Sequence, residues 1–460
     1  MAKGSFVASN AMVGALCRGD EAKAVGLIDS VKEAAHLGKC LLSACETGHP
    51  KCARLLLAAH AAVDQADSDG RTPLIAACDQ GHGDCVQLLL AAHAAVDQAD
   101  SHGRTPLIAA CFKGNGDCVQ LLLAAHAVVD QANSDGPTPL LAACVKGDGG
   151  CVQLLLAAHA AVDQAASDGR TPLIAACVKG DGGCVQLLLA AHAAVDQAAS
   201  DGRTPLIAAC VKGDGGCVQL LLAAHAAVDQ AASDGRTPLF AACVKGDGDC
   251  VQLLLAAHAA VDQAASDGTT PLYAACLNGH GGCVQLLLAA HAVVDHMASD
   301  GTTPLYAACL KDHGDCVQLL LAAHAAVDQA DREGGTPLFA ACEKGHGDCV
   351  QLLLAAHAAV DQAASDGRTP LIAACVKGDG GCVQLLLAAH AAVDQADSNG
   401  ATPLMAACNK GDGDCVRLLL AAHAAVDKAD SNGATPLIAA CIKGDGDCVQ
   451  LLLAAHAAVD

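Results

Sequence analysis

Asp168–Ser200 reads DGRTPLIAACVKGDGGCVQLLLAAHAAVDQAAS, and Asp201–Ser233 repeats it without a single change. Variants of the same stretch fill the chain from about Gly70 to Asp460. Thr-Pro-Leu recurs at Thr72, Thr105, Thr138, Thr171, Thr204, Thr237, Thr270, Thr303, Thr336, Thr369, Thr402 and Thr435, always 33 residues apart. A unit of that length is too short to bury its own apolar face and must stack on its neighbours, so a strict period predicts a repeat array. The spacing leaves no room for insertions, linkers or a second domain within the array.

One unit, residues 67–99, shows how the period folds. Asp67-Ser-Asp-Gly70 has turn chemistry. Thr72 is placed to cap a first helix, with Pro73 at the first helical position and Gly81 at its left-handed end. A second helix starts near residue 82, where most units carry Asp (Asp148, Asp181, Asp214, Asp247, Asp379, Asp412, Asp445) as a cap. Its apolar residues Cys85, Val86, Leu88, Leu89, Leu90 and Ala92 wrap most of the helix, which predicts burial on more than one side. Val96 is the expected apolar anchor leading into the next turn.

The composition narrows the function. Hydrophobic residues make up 53% of the chain but aromatics only 1%, so the core is Ala, Leu, Val and Cys in closely packed thin helices. A net charge of −23 argues against nucleic-acid binding, which needs a basic footprint. Apolar runs such as CVQLLLAAHAAVD are broken by Gln and His and fall short of the roughly 20 residues of a bilayer span, so no membrane insertion is expected. The 28 cysteines recur in register, twice per repeat, and read as small buried hydrophobes of a reducing, cytoplasmic or nuclear compartment. No metal-ligand spacing, phosphate loop, nucleophile elbow or zinc-protease motif is present, so no cofactor, metal or catalytic residue is expected.

The pattern D-G-x-T-P-L, A-A, G-[HD], Val-x-Leu-Leu-Leu and A-x-V-D resembles the ankyrin repeat. The resemblance is strong over residues 38–460 and weak over residues 1–37. It implies an all-α repeat solenoid in which each unit is a β-turn finger plus two antiparallel helices, the fingers and first helices lining a concave groove. Residues 1–37 are then a degenerate capping repeat. Residues 38–460 are the array: one degenerate unit and twelve Thr-Pro-Leu units, the last ending just past its second helix. Three departures suggest softer units. Ile75 and Ile108 stand where the family has His, Gly83 and Gly116 where it has Leu, and His60 through His456 where it has Gly.

Variation between units is where partner recognition is expected. The groove-facing positions carry a ladder of Arg170, Arg203 and Arg236 before Thr-Pro-Leu and Lys179, Lys212, Lys245, Lys311 and Lys344 at the first-helix ends. That ladder fits an acidic or mixed-charge protein segment. The position after Thr-Pro-Leu carries Phe240, Tyr273, Tyr306 and Phe339 in four consecutive units, while only Phe6 and Phe112 occur elsewhere. This row reads either as an interface hot spot or as core filling. The leading expectation is a non-catalytic protein-interaction scaffold binding around residues 236–345. The alternatives are a structural or elastic spacer, favoured by the identical copies, and the targeting arm of a larger adaptor or enzyme.

Overall fold

The computed structural model describes residues 2–31 and 34–459; Met1, residues 32–33 and Asp460, at the ends of the expected capping repeat and array, lie outside them. Among the described residues the chain builds helix pairs in tandem and no strand. It divides into two compact units, residues 1–233 and 234–460.

Residues 1–233 open with Ala2–Cys17 and Glu21–Gly26, followed by a 3₁₀ turn Ile28–Ser30. Next come Ala34–Glu46 and Pro50–Ala58. The helix Ala34–Glu46 begins ahead of residue 38, so the boundary expected there falls inside a helix. The Thr-Pro-Leu pairs follow, starting with Pro73–Gln80 and Gly83–Ala91 and closing with Pro205–Lys212 and Gly215–Ala223. Residues 234–460 run the same way from Pro238–Lys245 and Gly248–Ala256 to Pro436–Lys443 and Gly446–Ala454.

Local chemistry makes each pair. In all twelve Thr-Pro-Leu units the Thr hydroxyl accepts the backbone N–H three residues on, and Pro takes the first helical position, where it loses no hydrogen bond. The seven Asp residues expected to cap the second helix all accept such a bond. At Asn115, His280, His313 and His346, which replace Asp, the side chain reaches back to a carbonyl of the preceding repeat instead. His346 Nδ1 lies 2.9 Å from the Cys309 carbonyl, and the Asn115 amide donates to the Cys78 carbonyl at 2.7 Å.

The core runs through the first helices, which pack chiefly on the first helices of neighbouring repeats within each unit. Leu74, Ile75, Ala76, Ala77 and Cys78 are all buried, so Ile in place of the family's His simply joins the core. The second helix is less enclosed than its sequence suggests. Cys85, Val86 and Leu89 form one buried stripe, while Leu88 and Leu90 stay partly exposed. Ala94, not Val96, is the buried anchor at the end of the unit. The thirteen His residues after the second helices all adopt φ between 60° and 65°. They occupy the left-handed conformation in which the family has Gly, one that non-glycine residues visit uncommonly.

Two ladders tie repeat to repeat. The backbone N–H of Ser101, Ser134, Ser167, Ser200 and Ser233 donates to the tip carbonyl of the preceding turn, and Ser266 to Ser431 continue the series, with Arg332 at one step. Gly169 is required in that ladder. Its φ is 78°, and a Cβ there would lie 2.6 Å from the Ser200 nitrogen. The Asp that ends each unit carries the second ladder. Asp97 accepts the Val128 N–H at 2.9 Å, Asp130 the Ala161 N–H and Asp163 the Ala194 N–H.

Candidate functional site: the face of the turns and first helices

The residue before Thr-Pro-Leu, the residue after it and the end of the first helix come together on one face. Around the identical copies this face opens into a cleft of about 550 Å³, lined by Arg170, Ile174, Val178, Arg203, Val211 and Lys212 among others. Ile174 and Ala208 form its buried floor. Val178 and Val211 form its sides, 50% and 48% exposed, as Val244 and Val376 are at the same repeat position. Val145 occupies the same exposed position one repeat earlier.

The cations on this face are unequal. Arg170 donates from Nε to Asp168 at 2.6 Å, and Arg203 Nε and Arg236 Nε lie 3.4 and 3.5 Å from Asp201 and Asp234. These turn-tip carboxylates share the face with the arginines. The Arg ladder is therefore a ladder of ion pairs. Burial pushes the Asp168 carboxyl up, but the Arg170 backbone N–H and guanidinium outweigh it and hold the group below the ordinary carboxylate value. Of the Arg170 guanidinium only Nε donates a hydrogen bond, so its outer Nη edge stays open among the described residues. Lys179, Lys212, Lys245 and Lys311 are exposed and stand in no ion pair among the described residues. Lys344 is paired with Glu343 at 3.1 Å.

Arg71 and Arg104 hold the same repeat position with a different outcome. Each reaches 25 residues back to the end of the preceding first helix. Arg71 Nη2 donates to Glu46 at 2.7 Å and Arg104 Nη1 to Asp79 at 3.2 Å. For Arg170 and Arg203 the equivalent positions are Val145 and Val178, which offer no carboxylate. Their guanidinium edges are left for another partner.

The aromatic row is placed mostly in the core. Phe240, Tyr273 and Phe339 are only 3%, 9% and 6% exposed, and Tyr306 is half-buried. Of the two readings of this row, burial favours core filling over an interface hot spot: three of the four rings offer almost no surface. Tyr273 packs on Ala298 and Ala307 of the next repeat, and its hydroxyl lies 3.0 Å from the Thr302 hydroxyl. Arg236 lies over the Phe240 ring at 5.2 Å and Arg368 over the Phe339 ring at 5.4 Å. The ring at Tyr273 meets the residue before the next Thr-Pro-Leu, which explains why the Arg ladder breaks to Thr302 there.

Burial first, then the charge and hydrogen bond of Asp181, push the Cys184 thiol up to about 12, and Cys217 beside Asp214 behaves alike. Such thiols are protonated and poor nucleophiles at neutral pH. Among the described residues no three His, Cys, Asp or Glu side chains gather to hold a metal ion, and no helix is long and apolar enough to cross a membrane.

The first-helix end that carries Val178 and Val211 varies between units, with Asp79, Glu343 and Asn409 as its charged or polar members, and was read as facing the groove; the exposure of these two Val beside a cleft is what the structure adds. The link between Arg71 and Glu46 was legible only as a 25-residue offset between two variable positions.

A family model described as ankyrin repeats (3 copies) matches residues 41–133, 125–199, 179–265, 245–331, 315–397 and 378–460. No curated protein sequence matches the chain. Among solved structures, the crystal structure of the human ASB11 ankyrin repeat domain is 29% identical, with a TM-score of 0.45; the match covers 49% of this chain and 100% of that one. Ankyrin repeats generally serve as protein–protein interaction modules. With the model matched in overlapping stretches from residue 41 to residue 460, on top of capped helix pairs every 33 residues, this chain belongs to the ankyrin-repeat family.

Proposed function

We propose that the protein is a non-catalytic interaction scaffold that holds a protein partner against the face of its turns and first helices, with residues 168–212 at the centre. The observation that carries this reading is the cleft of about 550 Å³ whose sides are the exposed Val178 and Val211. Exposed aliphatic side chains beside open cations form the mixed surface that partner recognition uses. The reading moves the site upstream of residues 236–345, because the rings there support the fold more than they present a surface. A cytoplasmic or nuclear setting suits a core of buried thiols.

The test is affinity capture from native lysate with the intact chain and with a Val178→Ser, Val211→Ser variant. The expected result is a set of proteins retained by the first and lost from the second at unchanged thermal stability. Identical capture by both sinks the reading. A second reading, a spacer whose units set length, is favoured by the identity of Asp168–Ser200 and Asp201–Ser233. It predicts that neither version captures anything specifically.

A further inference from the structure

We infer that the cleft between the repeats of Thr171 and Thr204 takes an extended polypeptide segment carrying aliphatic side chains interleaved with carboxylates. The inference rests on the interaction reading above and adds the chemistry of the partner. Three observations point to that ligand. The floor and sides are aliphatic: Ile174 and Ala208 lie beneath, and Val178 and Val211 stand on either side, half in solvent. A Leu, Ile or Val side chain lowered between them removes apolar surface on both partners at about 25 cal/mol per Å².

The rim carries Arg170, Arg203 and Lys212 against Asp168 and Asp201, an excess of one cation in a chain whose net charge is −23. Lys212 lines the cleft and stands in no ion pair among the described residues, and Lys179 is its equivalent one repeat earlier. The third observation is the orientation of the arginines. Asp168 engages the Arg170 guanidinium through Nε alone. The remaining Nη edge of a guanidinium is a fork that matches a carboxylate. In the repeats of Arg71 and Arg104 that same fork is occupied by Glu46 and Asp79 from within the chain. The protein thus displays, in its own N-terminal repeats, the group that satisfies this arginine. At Arg203 a Val stands where that carboxylate would be. An acidic side chain of a partner laid along the face supplies what Val178 omits.

A basic segment is disfavoured by Lys179, Lys212 and the open guanidinium edges together. A purely acidic segment without aliphatic side chains leaves Val178 and Val211 uncovered. The chemistry therefore calls for both features in one strand of sequence.

The experiment is fluorescence anisotropy of the full chain with three labelled twelve-residue peptides: alternating Glu and Leu, alternating Lys and Leu, and alternating Glu and Ser. The Glu–Leu peptide is expected to bind at least tenfold more tightly than either control. Val178→Glu, which places a carboxylate within reach of Arg203 from inside the chain, is expected to weaken it at least tenfold. The pair Lys179→Glu, Lys212→Glu is expected to do the same, with unchanged melting in both cases. Equal binding of the Lys–Leu or Glu–Ser peptide overturns the inference, as does indifference to both variants or failure of all three peptides to bind. If lysate capture depends on Val178 and Val211 while the Glu–Leu peptide fails, only the partner chemistry is wrong. If capture is also indifferent to them, the interaction reading itself falls.

Discussion

Arg71 and Arg203 occupy the same place in their repeats, one residue before Thr-Pro-Leu, and reach different ends. Arg71 is partly buried and bonded to Glu46 of the preceding repeat, with Asp67 of its own turn 3.6 Å away. Arg203 is exposed, lies 3.4 Å from the Asp201 carboxylate in its own turn, and has Val178 where Arg71 has Glu46. One substitution at the end of the preceding helix separates a closed surface from an open one. The turns differ to match. Asp67 and Asp100 accept two backbone N–H groups each, from Asp69 and Arg71 and from His102 and Arg104. Ala166 and Ala199 cannot, so Asp168 and Asp201 accept the Arg N–H instead. In this chain a guanidinium edge is open where the preceding first helix ends in Val and closed where it ends in a carboxylate.

The comparison can be tested from its largest consequence to its smallest. Phe240→Ala removes a buried ring and should cost about 3–5 kcal/mol, whereas Val178→Ala, half exposed, should cost under about 0.5 kcal/mol. Chemical denaturation of the two variants separates core from face; similar losses would show that Val178 is structural. Next, Val178→Glu should close the cleft by drawing Arg203 onto itself, costing about 1.4 kcal/mol or more of peptide affinity for a tenfold loss. A crystal structure of that variant with Arg203 still free would break the proposed equivalence with Arg71 and Glu46.

The reverse change, Asp79→Val, should release Arg104 and remove a partly buried ion pair, lowering stability by about 0.2–1 kcal/mol in thermal unfolding at low salt. It should also create Glu–Leu peptide binding in the N-terminal repeats, detectable as a second site in titration. Gly83→Ala should raise stability by about 0.5–1 kcal/mol, because nothing lies within 4 Å of the added Cβ and the helical conformation suits Ala. A fall in melting temperature there would contradict the open space. The smallest effect concerns acid. The Asp168 and Asp366 carboxyls are held below the ordinary value in the folded chain, so their stabilisation is present above about pH 4 and lost as pH falls through the folded pKa. The melting difference between the wild type and Asp168→Asn, Asp366→Asn should shrink to nothing by acidification; a difference that grows would reverse the sign.

Capping and periodicity are local, and local chemistry is what a sequence displays. Thr72 capping through Ile75, the Pro at the first helical position and the Asp caps at 148, 181 and 214 were all readable because each bond closes within four residues. The period itself announced the stacking, since no single unit can bury its own face. The placement of Phe240, Tyr273 and Phe339 was not readable. The position after Thr-Pro-Leu is buried in most units, partly exposed at Tyr306 and exposed at Ile438; Tyr273, for example, is covered by Ala298 and Ala307 of the next repeat, a contact that exists only after stacking. The same holds for Arg203. Its freedom depends on residue 178, which is remote along the chain and adjacent only after stacking. The sequence by itself determined the repeat, its helices and its family. Only the tertiary structure decided which apolar residues are surface and which cations are already taken, because both depend on contacts between neighbouring units.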